Sequence, residues 1–320
     1  MRARRGPRSG RHGRGAGRAD AGRRPRGGRV ILRLRDRTLE LRRPVLMGIV
    51  NATPDSFSDR QGHKSSAELA RRALAQVAAG AAFIDVGGES GRTDTDAVPV
   101  DEEIARVVPL VERLAADGVT VSVDTWRAPV ARAALEAGAA MINDVSGLSD
   151  PGVAEACARS RAALVVTHTR LPPKRKGFPA YADVVADVVE LLRERVEEAR
   201  SQRVAAEQLV LDPGIDLAKT PAESVEVLRR LPEVRALGRP LLLSVSRKDF
   251  VGALTERSPA ARGAGTLAAL GAAVDGGAAI LRVHDVSDAR EFLTVRAALN
   301  GDVDVPEALR LDATLRREPA

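Results

Sequence analysis

Between residues 45 and 283 the chain repeats one pattern eight times: a short apolar run, then a longer stretch in which Ala, Leu, Glu and Arg dominate. The runs fall at 45–50, 83–86, 119–123, 141–145, 163–167, 209–211, 241–245 and 279–283. Helical spacing of apolar residues is clearest over 67–78, 102–115, 184–199, 222–230 and 289–299. A strand buried on both faces reads as a continuous apolar run, and strands joined through helices run parallel. Eight such units predict an α/β chain closed into a (β/α)8 TIM barrel, with an open doubly wound sheet as the structural alternative. Aromatic residues make up only 2% of the chain, so the core must be built from Val, Leu, Ile and Ala, as layered barrel interiors are. Upstream, 30–34 and 38–41 alternate apolar and polar residues around Asp36-Arg37, the pattern of a β-hairpin suited to plug a barrel bottom.

The net charge of +7 invites a nucleic-acid reading, but its distribution argues against one for the folded part. Residues 1–29 hold eleven Arg against the single acid Asp20, ten positive charges that leave the remainder three net negative. With eight Gly and almost no large apolar side chain, this segment cannot bury enough surface to offset ordering entropy, and it reads as a disordered basic tail. Clustered charge alone would also suit an RNA- or membrane-touching arm. The expected organisation is therefore a tail over 1–29, a barrel over 30–300 and a C-terminal extension over 301–320. The tail has no apolar core of a secretory signal, and no run approaches a membrane span. The single Cys157 excludes an intrachain disulfide and reads as a small core residue, so a cytoplasmic setting is expected.

Active sites of such barrels form where strands end and βα loops begin. The eight strand ends here deliver Asn51, Asp85 with Glu89, Asp124, Asn143 with Asp144, His168, Asp212, Ser246 with Arg247 and Lys248, and Arg282 with His284 and Asp285. One polar residue at a strand end is usually a helix cap or a satisfied loop group. Taken singly, Asp124 fits an N-cap, Asn143 a turn residue, His284 a core histidine and His168 a structural residue of the barrel top. Polar groups at all eight ends point to a site.

The segments carrying these residues are MGIVNATPDSFSD (47–59), DVGGES (85–90), SVDT (122–125), INDVSG (142–147), DPG (212–214) with Lys219, SRK (246–248) and RVHDV (282–286). Together they closely resemble the dihydropteroate synthases, a pterin-binding barrel family, over roughly residues 30–300. The resemblance implies a transferase of folate biosynthesis that joins p-aminobenzoate to 6-hydroxymethyl-7,8-dihydropterin pyrophosphate and releases pyrophosphate. It implies a pterin pocket lined by Asp124, Asn143, Asp212 and Lys248, with Arg282 against the ring face. Carboxylates meet the ring's N–H donors in such a pocket, while amide and cationic groups meet its acceptors. Asn51, Arg92, Arg282 and His284 are implied for pyrophosphate, with Asn51 also associated with Mg²⁺, a hard cation suited to an amide oxygen. The loops at 52–63 and 87–98 would close over the reactants through Thr53, Asp55 and Phe57. The implied catalytic residues are Asp124, Lys248 and Arg92, in a route in which pyrophosphate leaves before the amine attacks. A homodimer is implied as well.

Departures from the family pattern cluster on the p-aminobenzoate side, where Ser246, Gly91, Thr93 and Leu217 are the expected contacts. Gly91 and Thr93 replace a usual Thr and Pro, Asp216-Leu217 replaces Gly-Phe, and Thr167-His168-Thr169 replaces Met-His-Met. These changes leave open a paralogue that binds pterin pyrophosphate with altered or no synthase activity. A corrinoid-methyltransferase pterin barrel is a further alternative, disfavoured by Arg92, Lys248 and the TPDSF loop (53–57) together, and a non-catalytic pterin-binding or tail-mediated RNA-associated protein is another, disfavoured by the retention of Asn51, Arg92, Asp124 and Lys248.

Overall fold

The computed structural model describes residues 30–52, 66–89 and 97–316. Its eight-stranded parallel sheet runs β3 (Val45–Asn51), β4 (Ala81–Gly87), β5 (Val121–Asp124), β6 (Met141–Asp144), β7 (Ala163–Thr167), β8 (Leu209–Asp212), β9 (Leu242–Leu243) and β10 (Ile280–Val283). Consecutive strands are neighbours from β3 to β8, β10 pairs with both β3 and β9, and a parallel bridge between Leu211 and Leu241 joins β8 to β9. The sheet is thereby closed, which excludes the open alternative.

Helices α1 (Ser66–Ala78), α2 (Val100–Ala116), α3 (Ala128–Glu136), α4 (Pro151–Ser160) and α5 (Val184–Ser201) follow the first five strands. After β8 come α6 (Pro221–Arg229) and α7 (Leu231–Arg235), after β9 come α8 (Asp249–Thr255) and α9 (Gly263–Asp275), and α10 (Val286–Leu299) closes the order. Local chemistry sets several starts. Asp150 accepts from the Gly152 N–H at 3.0 Å with Pro151 as the first helical residue, and Thr220 and Glu223 form a reciprocal capping box ahead of Pro221.

Side chains alternate across each strand, so the barrel has two cores. The outward residues, among them Ile84, Val123, Ile142, Leu164, Leu211 and Leu281, pack against the helices. The inward residues Met47, Phe83, Met141, Val165, Val210, Leu242 and Ile280 form an inner floor, and Leu32, Leu34 and Leu41 of the hairpin enter that cluster from below. The hairpin, β1 (Val30–Leu34) paired with β2 (Arg37–Leu41), is therefore the plug that its alternation predicts. Its turn lies at Arg35 and Asp36, one residue earlier than expected. Arg35 holds a left-handed φ of 60°, and its guanidinium donates to the Leu135 carbonyl at 2.8 Å and the Ala139 carbonyl at 3.2 Å. Those bonds offset a conformation that glycine would adopt more readily.

The strand at 163–167 falls where expected and the other strand ends shift by at most two residues, with the largest loss at 241–245, where the ladder covers only Leu242–Leu243 before the backbone turns toward Ser246. Beyond α10, residues 301–316 are exposed throughout. The basic segment 1–29, with the expectation of disorder there, lies outside the described residues.

Candidate active site

Strand alternation also builds the site. Two residues beyond the inward layer of the floor, five of the eight strands turn a polar or charged inward residue toward the barrel mouth: Asp85 follows Phe83, Asp124 follows Ser122, Asn143 follows Met141, Asp212 follows Val210 and Arg282 follows Ile280. Arg282 is the hub. Its Nε donates to Asp85 Oδ2 at 2.6 Å and its Nη2 to Asp124 Oδ2 at 2.9 Å. Asn143 Nδ2 donates to the same Asp85 oxygen at 3.1 Å. Asp124 is thus no helix cap, since Arg127 occupies that position of α3, and Asn143 is no turn residue.

Burial raises the Asp124 carboxyl to about 7, against the pull of the Arg282 guanidinium. Asp212 is also raised by burial, with its Oδ1 accepting from the Gly214 N–H at 2.7 Å and the Lys248 charge opposing the shift. Four carboxylates and amides that would otherwise be hydrated are therefore held largely out of water around two cations, so a ligand with N–H donors gains bonds there that water supplied poorly.

On the β10 side, Ser246 Oγ lies 3.0 Å from His284 Nδ1 and accepts the His284 backbone N–H at 3.3 Å. Burial, then the Arg282 charge, lowers His284 to about 4, so the ring is neutral near pH 7. The Ser246 hydroxyl can donate to Nδ1 or accept from it, so either tautomer fits, and His284 enters the site as a neutral ring rather than as a cation. On the β3 side, a Cβ placed on Gly87 would touch Asn51 Oδ1 at 3.6 Å and Asp124 Cβ at 3.7 Å. Asn51 and Asp124 therefore flank one small patch of backbone at the mouth.

The turn after β8 carries a network that motif reading passes over. Lys219, only 1% exposed, places Nζ 2.7 Å from His168 Nδ1 and donates to the carbonyls of Gly214 at 2.9 Å and Leu217 at 3.1 Å. His168 Nε2 meets Asp187 Oδ1 at 2.8 Å, and Arg170 grips the same carboxylate. Burial pushes Lys219 down to about 7 and His168 down to about 4. Gly214, at φ 68°, admits no side chain, because a Cβ would lie 2.0 Å from the His168 carbonyl oxygen. Asp216 also adopts a left-handed φ of 64° in the place where the family pattern has Gly. Its carboxylate accepts from the Phe250 N–H at 3.2 Å and the Ser224 hydroxyl at 3.1 Å, tying the turn to α6 and α8. Leu217 is half-buried in this turn.

Glu89 turns away from the hub. It pairs with Arg127 at 2.7 Å, which also holds Glu103 at 2.7 Å, and so fastens the end of β4 to α2 and the start of α3. Thr53, Asp55, Phe57, Gly91, Arg92 and Thr93 lie outside the described residues.

Fold and site together define a (β/α)8 enzyme whose mouth is furnished for a flat heterocycle rich in N–H donors. A family model described as "Pterin binding enzyme" matches residues 47–284. A dihydropteroate synthase of Synechocystis is 39% identical over 262 residues, 81% of this chain and 91% of the relative. A solved dihydropteroate synthase of Xanthomonas albilineans with 4-aminobenzoic acid superposes with a TM-score of 0.80 at 42% identity, covering 87% of this chain and all (100%) of that one. A Burkholderia cenocepacia dihydropteroate synthase complexed with 7,8-dihydropteroate gives 0.79 at 38% identity, covering 86% and 98%. The chain belongs to the pterin-binding enzyme family, and within it to the dihydropteroate synthases.

Proposed function

We propose that this chain condenses 6-hydroxymethyl-7,8-dihydropterin pyrophosphate with p-aminobenzoate, giving 7,8-dihydropteroate and pyrophosphate. The observation that carries this reading is the hub at the barrel mouth: Asp124 bonded to Arg282, Asn143 joined to Arg282 through Asp85, and Asp212 under the charges of Lys248 and Arg282. Asp212 and Asn143 offer acceptors to the pterin's amino and ring N–H groups, Lys248 offers donors to its carbonyl edge, and Arg282 lies along the ring.

In the first step the bond between the pterin methylene carbon and the bridging oxygen breaks, and its electron pair leaves with pyrophosphate. The ionised Asp124 carboxylate opposes the positive charge that develops on the pterin. That charge also lowers the Asp124 pKa, which burial holds near 7 in the free protein. Arg92, Arg282 and His284 receive the pyrophosphate oxygens. In the second step the p-aminobenzoate nitrogen donates its lone pair to the methylene carbon, and the nitrogen sheds a proton to pyrophosphate or solvent. Ser246, Gly91, Thr93 and Leu217 frame that second substrate, while Thr53, Asp55 and Phe57 belong to a loop that excludes water from the cation.

Asn51, with its amide oxygen beside Gly87 at the mouth, fits a Mg²⁺ that keeps most of its shell from water and pyrophosphate oxygens. Such an ion would supply charge neutralisation for the leaving group. Exposed Leu254 on α8 and Val295 and Leu299 on α10, the two helices that pack against α9, supply apolar surface, which supports a homodimer. A single buried thiol, Cys157, suits a cytoplasmic setting. Among the described residues no helix is long and apolar enough to cross a membrane.

The test is an assay of purified protein with both substrates and Mg²⁺, following dihydropteroate and pyrophosphate together. Equal formation of the two is expected. Binding of pterin pyrophosphate without product would identify a paralogue of altered activity instead.

A further inference from the structure

Asp85 makes no helix cap and sits below the ligand-facing rim, fully buried on β4, yet two site residues depend on it. One of its oxygens, Oδ2, accepts from both Arg282 Nε and Asn143 Nδ2. An asparagine can present either end of its amide to a ligand. A carboxylate oxygen that already takes an arginine N–H at 2.6 Å can only accept, so it receives the NH₂ end of Asn143 and fixes the flip. Asn143 Oδ1 is left buried and without a hydrogen-bond partner among the described residues. An acceptor in that state is unfavourable until a donor arrives.

We propose that Asp85 is a specificity-determining positioning residue: by locking Asn143 as an acceptor, it makes the pocket select the 7,8-dihydro ring over the fully oxidised pterin. The inference rests on the pterin reading given above. The two rings differ at N8, an N–H donor in the dihydro form and a bare acceptor nitrogen in the oxidised one. Asn143 stands beside Asp124 in the β5–β6 ladder, so both present acceptors to the same edge of the ring. A donor at N8 completes a bond with Asn143 Oδ1. A bare nitrogen there leaves two acceptors face to face, which a site built around that bond rejects.

The test is the affinity of 6-hydroxymethyl-7,8-dihydropterin relative to 6-hydroxymethylpterin, measured anaerobically by calorimetry for wild type, Asp85→Asn, Asn143→Leu and the double variant. Loss of the Arg282 anchor in Asp85→Asn weakens both ligands alike, whereas release of the Asn143 amide acts on their ratio. The dihydro preference is expected to fall about tenfold in Asp85→Asn, the scale of one mismatched buried hydrogen bond. In the Asn143→Leu background the same change should leave the ratio unmoved. An unchanged ratio in Asp85→Asn, or an equal fall in the Asn143→Leu background, overturns the proposal. Should Asp85→Asn fail to fold, a crystal structure of wild type with the dihydropterin decides: N8 within hydrogen-bond distance of Asn143 Oδ1 is expected, and any other ring atom there overturns it. Wild type that binds neither ring would refute the pterin reading itself. Wild type that binds and turns over dihydropterin while the ratio resists Asp85→Asn refutes only the role of Asp85.

Discussion

Ionisation of Asp124 should govern how the enzyme uses pterin pyrophosphate as pH changes. Burial raises this carboxyl to about 7, with Arg282 at 2.9 Å as the main opposing influence. A group with a pKa of about 7 is ionised to roughly one-tenth at pH 6 and nine-tenths at pH 8, so kcat/KM should rise about tenfold over that span. Replacing Asp124 by Asn keeps the shape of the side chain and removes the charge. The variant should lose the rise contributed by this group, and at about pH 8 it should turn over roughly 30- to 1000-fold more slowly, the 2 to 4 kcal/mol typical of a preorganised charge stabiliser. Pterin affinity should fall much less, since an amide still bonds to the ring.

Lys219, pushed down by burial to about 7, loses its charge in the same window, but it bonds to His168 and to the carbonyls of the turn after β8 rather than to the hub, and its titration is common to wild type and Asp124→Asn. The assay is steady-state pyrophosphate release across about pH 6 to 9 for both proteins, so that titration of the substrate itself is common to the two curves. An acid limb of equal size in Asp124→Asn, or undiminished turnover, would refute the assignment. The same pKa has a consequence for stability. Because the folded value lies above the ordinary 3.8, the folded state binds more protons between about pH 4 and 7. This group's contribution to stability is therefore largest below that window and declines as pH rises through it.

Arg282→Met should destabilise the fold by about 3 to 5 kcal/mol in chemical denaturation, because it strands Asp85, whose side chain is 0% exposed, without its cation. Arg282→Met combined with Asp85→Leu should recover much of that loss, and no recovery would place the cost elsewhere. Deletion of residues 1–29 should leave the melting transition and the turnover intact, since the plug begins at Val30; loss of either would make the tail part of the working protein. On the p-aminobenzoate side, the combined variant Gly91→Thr, Thr93→Pro and Leu217→Phe should tighten sulfonamide inhibition about tenfold to hundredfold, the worth of roughly 1 to 3 kcal/mol of restored contact. Equal inhibition constants before and after would remove these positions from the pocket.

Much of this protein was readable from order along the chain. Eight apolar runs separated by helical stretches specify parallel strands buried on both faces, and the alternation at 30–41 specifies a two-stranded plug, because strand and helix periods are local properties. The polar residues that end the runs were legible as a site for the same reason: a strand that reaches the barrel mouth must expose its last inward side chain there. Local chemistry could not say which of those residues touch. Asp85 and Arg282 stand 197 positions apart and meet only because β4, β3 and β10 are neighbours in the closed sheet. His168 and Lys219 look like unrelated loop residues until β7 and β8 pair and the Gly214 turn folds the ammonium back onto the imidazole. Ionisation was equally out of reach of the sequence. Asp124 near 7, Lys219 near 7 and His284 near 4 all follow first from burial, and burial exists only once the barrel has closed around them.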